Sequence, residues 1–257
     1  MTTKLDPVTG LVVALFGSPG VALVMAGGIL LFGIGLIVYS GFREYRPLMN
    51  DIRDRWNLLG ALQGSNMRKA FHEQFSKLDV RFSGTAEDGK ASAALVLGWA
   101  NYRSLLVDNE GHGFLTSIRA AEAFDRLDEP ARSLEWWANI LVAVGLVVTF
   151  LGIVAALSEA TAAMSGGEGG GAAMQSALMG LLAIAATKFW TSIAGVLASI
   201  ILRVVARFRR KAIESVEASF FITLDSCVQF MPPEKVSLEQ LKSLKRLEIA
   251  LDPTKAA

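Results

Sequence analysis

The chain has 257 residues, is 52% hydrophobic, and carries a formal net charge of +1 with one cysteine and two histidines. That balance gives no bulk attraction to nucleic acid. The lone Cys227 excludes an intrachain disulfide and a cysteine metal cage, and neither His72 nor His112 has a partner at metal-ligand spacing. The apolar excess exceeds that of ordinary soluble domains and falls in three blocks. The chain therefore reads as an all-α integral membrane protein, with three transmembrane helices extended into a helical cytoplasmic region.

Residues 1–41 hold the N-terminal segment and the first spanning helix. Leu11–Gly17 reads as a short interfacial or re-entrant piece, and Pro19 suits the first turn of a helix. Val21–Ser40 is the span, with Gly27, Gly28, Gly33 and Gly35 offering places for close helix packing. It is too long for a signal peptide and lacks a cleavage-site pattern, so it is expected to be retained.

Residues 42–135 change character. Arg43, Arg46, Arg53 and Arg55 follow the first span, and a cluster of positive charge at a membrane exit reads as cytoplasmic. Pro47 is expected to loosen the helix without ending it. Apolar residues at helical spacing predict a helix through Ile52, Trp56, Leu59 and Leu62, then helices over Met67–Leu78, Ser92–Val107 and Phe114–Leu127. Gly-rich loops at Ser83–Gly89 and Asp108–Gly113 separate them. No strand is expected, and no catalytic constellation is visible.

Residues 136–210 contain two long apolar runs, Trp136–Ser158 and Ala177–Val205, joined by the Gly/Ala-rich Glu159–Ser176. Trp136 and Trp137 suit a headgroup interface, and the joining segment, with no Lys or Arg, suits the outer side. Gly145, Thr149, Gly152 and Ala156 recur on one side of the first run, and Ser192, Gly195 and Ser199 on one side of the second. A hydroxyl in such a helix can bond its own backbone four residues back. A face that combines hydroxyls with small residues can also line a narrow polar path or seat a partner helix. Neither run has an Asp or Glu near its centre, so any titrating carboxylate would come from another chain. Lys188 is read as snorkelling outward. Arg203, Arg207, Arg209, Arg210 and Lys211 close the third span and place its end in the cytoplasm. The N-terminus is then outside and the C-terminus inside. In residues 211–257 a helix continues through Ile213, Val216 and Phe220, Met231-Pro232-Pro233 breaks it, and Ser237–Leu251 forms a charged amphipathic helix, with Ser237 and Gln240 as a capping box.

The segment Gly145-Leu146-Val147-Val148-Thr149-Phe150-Leu151-Gly152-Ile153 resembles the second-helix motif of the MotA/TolQ/ExbB proton-channel superfamily. Phe189-Trp190-Thr191-Ser192-Ile193-Ala194-Gly195-Val196 resembles its third-helix motif. The resemblance covers roughly residues 136–205 closely and the remainder in layout. It implies a homopentamer in the bacterial inner membrane around two copies of a single-span partner whose membrane aspartate takes up and releases ions. It implies no cofactor beyond the translocated ion, H+ in this reading, with sodium left open. Thr149 and Ser192 would line the ion path, with Thr187, Thr191 and Ser199 as further candidates, while Gly145, Gly152 and Gly195 would pack the helices. Thr187 stands where ExbB- and TolQ-like proteins have a glutamate, a departure at the proton relay. Thr191-Ser192 before the glycine, Leu224-Asp225, and Phe230-Met231-Pro232-Pro233-Glu234 resemble the ZorA branch, motor subunits of the Zorya anti-phage system. Those proteins continue into a long tail that this sequence does not contain, which sets it apart from them or marks a trimmed chain. The expected function is conversion of proton-motive force into motion. The alternatives are an energiser of envelope transport and a non-conducting membrane scaffold. No enzyme is expected, nor direct nucleic-acid binding; lipid contact is.

Overall fold

The computed structural model describes residues 19–62, 66–84, 92–109, 113–124, 127–165 and 171–251. The expected piece at Leu11–Gly17, His112 and most of the Gly166–Gly171 cluster lie outside the described residues. The fold is all-α, and three of its helices are long and apolar enough to cross a membrane.

Helix α1, Pro19–Ser40, is apolar on every side, the composition of a helix whose surroundings are lipid or protein rather than water. It passes through one π-helical turn, Gly41–Tyr45, into α2, Arg46–Gly60. Pro47 lies just past the π-turn, and the helix runs on through it. Helix α3, Met67–Phe82, is capped by the Asn66 side chain, which accepts from the Lys69 amide at 3.4 Å. Helix α4 covers Ala93–Ser104, and the Ser92 amide ahead of it donates to Asp51 Oδ2 at 2.8 Å.

The next stretch departs from expectation. Phe114–Leu127 is not a helix. Strand β1, Val107–Asp108, pairs antiparallel with β2, Phe114–Thr116, and among the described residues of that stretch only the short α5, Ala120–Ala123, is helical. Its first amide, Ala120 N–H, donates to Asp225 Oδ1 at 2.8 Å. Helix α6 runs Glu129–Ser165 and α7 runs Gly171–Cys227, both longer than the apolar runs they contain. Strand β3, Gln229–Phe230, then pairs parallel with β2, placing Leu115 opposite Gln229 and Thr116 opposite Phe230. Helix α8, Pro233–Leu251, starts at a proline rather than at Ser237. The Ser237 hydroxyl donates back to the Pro233 carbonyl at 3.0 Å, so Ser237 is inside the helix and caps nothing.

The chain forms two compact units, Met1–Arg43 with Glu129–Arg210, and Glu44–Asp128 with Lys211–Ala257. The second has an aromatic core. Phe71, Phe82, Trp99, Tyr102 and Phe220 are fully buried there with Ile52, Leu59, Leu95, Ile213 and Leu224. Trp99 meets Phe82 edge-on at 4.7 Å, and its indole N–H donates to Asp79 at 2.9 Å. Arg103 pairs with the same carboxylate at 2.8 Å. Phe124 lies against Gly98, where any side chain would strike its ring. Buried Cys227 joins this core.

Candidate functional site

The first unit brings α1, α6 and α7 together through small residues. Gly145 of α6 and Gly195 of α7 face each other. A Cβ on Gly195 would lie 2.7 Å from the Leu141 carbonyl oxygen and 3.0 Å from the Gly145 Cα, and one on Gly145 would lie 3.1 Å from both the Gly195 Cα and the Thr191 carbonyl oxygen. Only two glycines permit the backbones this close. Ala138, Ala194, Ala198 and Ala206 extend the seam, all buried. Gly33 of α1 receives Leu202, Ala198 and Leu141, whose nearest atoms would stand 3.3 to 3.6 Å from a Cβ there. Gly27, Gly28 and Gly35 face open space instead, so of the four glycines noted in the first span, Gly33 is the packing one.

Beside the glycine contact sits a hydroxyl pair. Thr149 Oγ1 lies 3.0 Å from Thr191 Oγ1 and donates to the Gly145 carbonyl at 2.8 Å. Either hydroxyl can donate in the bond between the threonines. Thr149 is 7% exposed and Thr191 1%. Ser199, two turns along α7 from Thr191, is buried too, and Gly152 is buried on α6. Ser192 is half-buried, one position round the helix from the pair. Thus Thr149 and Thr191 are brought into contact and Ser192 is not part of that bond. The side chains of Thr187 and Lys188 lie outside the described residues.

The depth of the pair follows from helix geometry. Asn139 on α6 and Arg203 on α7 are joined by a hydrogen bond of 2.7 Å, donated by the guanidinium. At 1.5 Å per residue, Thr149 is about 15 Å along α6 from that level and Thr191 about 18 Å along α7. Both hydroxyls therefore sit well inside the apolar runs of their helices. Around them the outward side chains, Phe150, Val154, Phe189, Trp190, Ile193 and Val196, are apolar and exposed.

The basic cluster at the end of the third apolar run does more than signal topology. Arg210 reaches both oxygens of Glu135 at 3.2 Å. Arg209 donates to the Ile37 carbonyl at 2.8 Å and to the Ser40 hydroxyl at 3.3 Å. Its terminal nitrogen lies 2.8 Å from where a Cβ on Gly41 would stand. These arginines therefore tie α6 and α1 to α7. The sequence signal that was available is Glu135 with Asn139 four residues on, a polar pair on one side of the helix as its apolar run begins. Among the described residues no group of three His, Cys, Asp or Glu side chains converges as a metal site. No protein-family model and no curated protein sequence matches the chain.

Proposed function

We propose that the protein is an ion-conducting stator or energising subunit of the MotA/TolQ/ExbB kind. It would form a homopentamer in the bacterial inner membrane, N-terminus outside and C-terminus cytoplasmic. Two copies of a single-span partner would supply the membrane aspartate, and ions flowing past it would turn or shift one component against the other. The observation that carries this reading is the buried Thr149–Thr191 pair inside two apolar runs, 3.0 Å apart on a glycine seam. Thr149 is the hydroxyl of the segment that resembles the second-helix motif, and its partner Thr191 is the neighbour of Ser192, the hydroxyl to which the third-helix resemblance points. A hydroxyl pair can pass a hydrogen bond to an ion or to a carboxylate but cannot itself titrate. That chemistry fits a path whose acid belongs to a partner. The resemblance to ZorA favours anti-phage defence as the process powered, with envelope transport of the TolQ/ExbB type as the alternative.

The test is proton flux into vesicles carrying the protein with its single-span genomic neighbour. Thr149→Val keeps the shape and removes the hydroxyl, and it is expected to lower flux at least about tenfold, a change of 1.4 kcal/mol in barrier. Flux equal to the wild type, or none from the intact complex, overturns the reading. A second reading, a non-conducting scaffold, is favoured by one observation: both threonine hydroxyls are already hydrogen-bonded inside the hairpin. It expects both Thr149→Val and Ser192→Ala to leave function intact.

A further inference from the structure

The outward face of α1 carries a groove of about 800 Å³ lined by Leu31, Ile34, Gly35, Val38, Tyr39, Phe42 and Arg43. Leu31, Ile34, Val38 and Phe42 stand more than half exposed along its length. Gly35 makes its floor, because a Cβ there would meet nothing within 4 Å. At one end the Arg43 guanidinium sits 5.9 Å from the centre of the Tyr39 ring, a cation beside an open apolar groove. Among the described residues no carboxylate lines the groove. Its wall is fixed from behind, where Arg209 holds the Ile37 carbonyl and the Ser40 hydroxyl.

We infer that this groove binds one acyl chain of an anionic phospholipid, with the headgroup phosphate on Arg43. Two features select that occupant. Leu31 to Arg43 spans twelve helical steps, about 18 Å, close to the half-thickness of a hydrocarbon core of about 30 Å. A chain anchored at Arg43 would therefore reach the bilayer middle at Leu31. The charge is complementary as well: a guanidinium with no acid in the lining suits a phosphate that carries net negative charge. This inference rests on α1 crossing the bilayer, and it is independent of whether the protein conducts ions.

The experiment is native mass spectrometry of the detergent-purified protein after exchange into phosphatidylglycerol or phosphatidylcholine. Phosphatidylglycerol is expected to be retained about fivefold more than phosphatidylcholine, the ratio given by about 1 kcal/mol for one basic residue at an anionic surface. Arg43→Gln is expected to abolish the preference, Arg43→Lys to keep it, and Gly35→Leu to reduce retention of both lipids. Equal retention by the wild type, or an unchanged preference in Arg43→Gln, overturns the inference. Val38→Cys in a Cys227→Ala background supplies a second readout. An efficient disulfide between two copies at that position would show another copy of this chain in the groove and likewise overturn it.

Discussion

At the scale of single residues, one methyl group probes the seam between the second and third spans. Gly195→Ala would put a carbon 2.7 Å from the Leu141 carbonyl oxygen, a backbone atom that can yield only if the helices separate. Overpacking of this kind costs about 2 kcal/mol. Thermal unfolding in detergent should therefore fall clearly for Gly195→Ala and stay unchanged for Gly27→Ala, whose new carbon meets nothing within 4 Å. Equal behaviour of the two variants would mean that the close approach is not what holds the hairpin. The sequence carried the glycine seam, since Gly145, Gly152 and Gly195 stand at helical spacing. It did not separate Thr191 from Ser192. The two hydroxyls are adjacent, both lie within one helical turn of Gly195, and only packing against Gly145 decides which one turns inward.

At the scale of elements, the π-turn Gly41–Tyr45 is held by a side chain from another helix. The Arg209 guanidinium occupies the space beside Gly41 and bonds the Ile37 carbonyl. A π-turn leaves backbone groups less well matched than an α-turn and persists where something inserts into the ladder. Arg209→Met removes these two charge-assisted bonds, worth about 3 kcal/mol together, and amide exchange over 41–45 should quicken about a hundredfold. Unchanged exchange there would show that the turn is intrinsic to Gly-Phe-Arg-Glu-Tyr. Such an insertion is invisible in sequence because its two halves lie far apart along the chain. The same holds for the strands. β1, β2 and β3 are two or three residues each and owe their pairing to partners such as Thr116 and Phe230. Phe114 and Ile118, four residues apart, have a spacing compatible with a helix, so pattern alone reads one. The three spans were legible because each is an apolar run of about 20 residues, which no short-range rule contradicts.

At the scale of the whole molecule, the two units answer differently to water. The exposed large side chains of α1, α6 and the apolar part of α7 are aliphatic and aromatic, whereas the second unit gathers Phe71, Phe82, Trp99, Tyr102, Phe124 and Phe220 in one buried core. That second unit also contains Glu217, six residues beyond Lys211 at the end of the basic cluster. Burial, with the negative charges of Asp128 and Glu214, pushes its carboxyl from 4.5 up to about 7. A carboxyl raised on folding contributes stability fully below the unfolded value and loses it as pH rises through the folded one. Stability should thus decline between pH 4.5 and about 7 from this group. Glu217→Gln should raise the melting temperature by about 2 °C at pH 8, after allowance for solvent screening, and leave it unchanged at pH 4. An equal shift at both pH values would assign the effect to something other than titration. The division of the chain into units bears finally on its synthesis. The aromatic core around Trp99 and Phe124 is completed by Phe220 and Leu224, residues made only after both later spans. At 5–20 residues per second a ribosome takes roughly 5–20 s to cover that distance. For that interval the nascent chain presents Phe71, Phe82 and Trp99 without their final partners. The demand for chaperone protection should be greatest then, and should end when the last turns of α7 emerge.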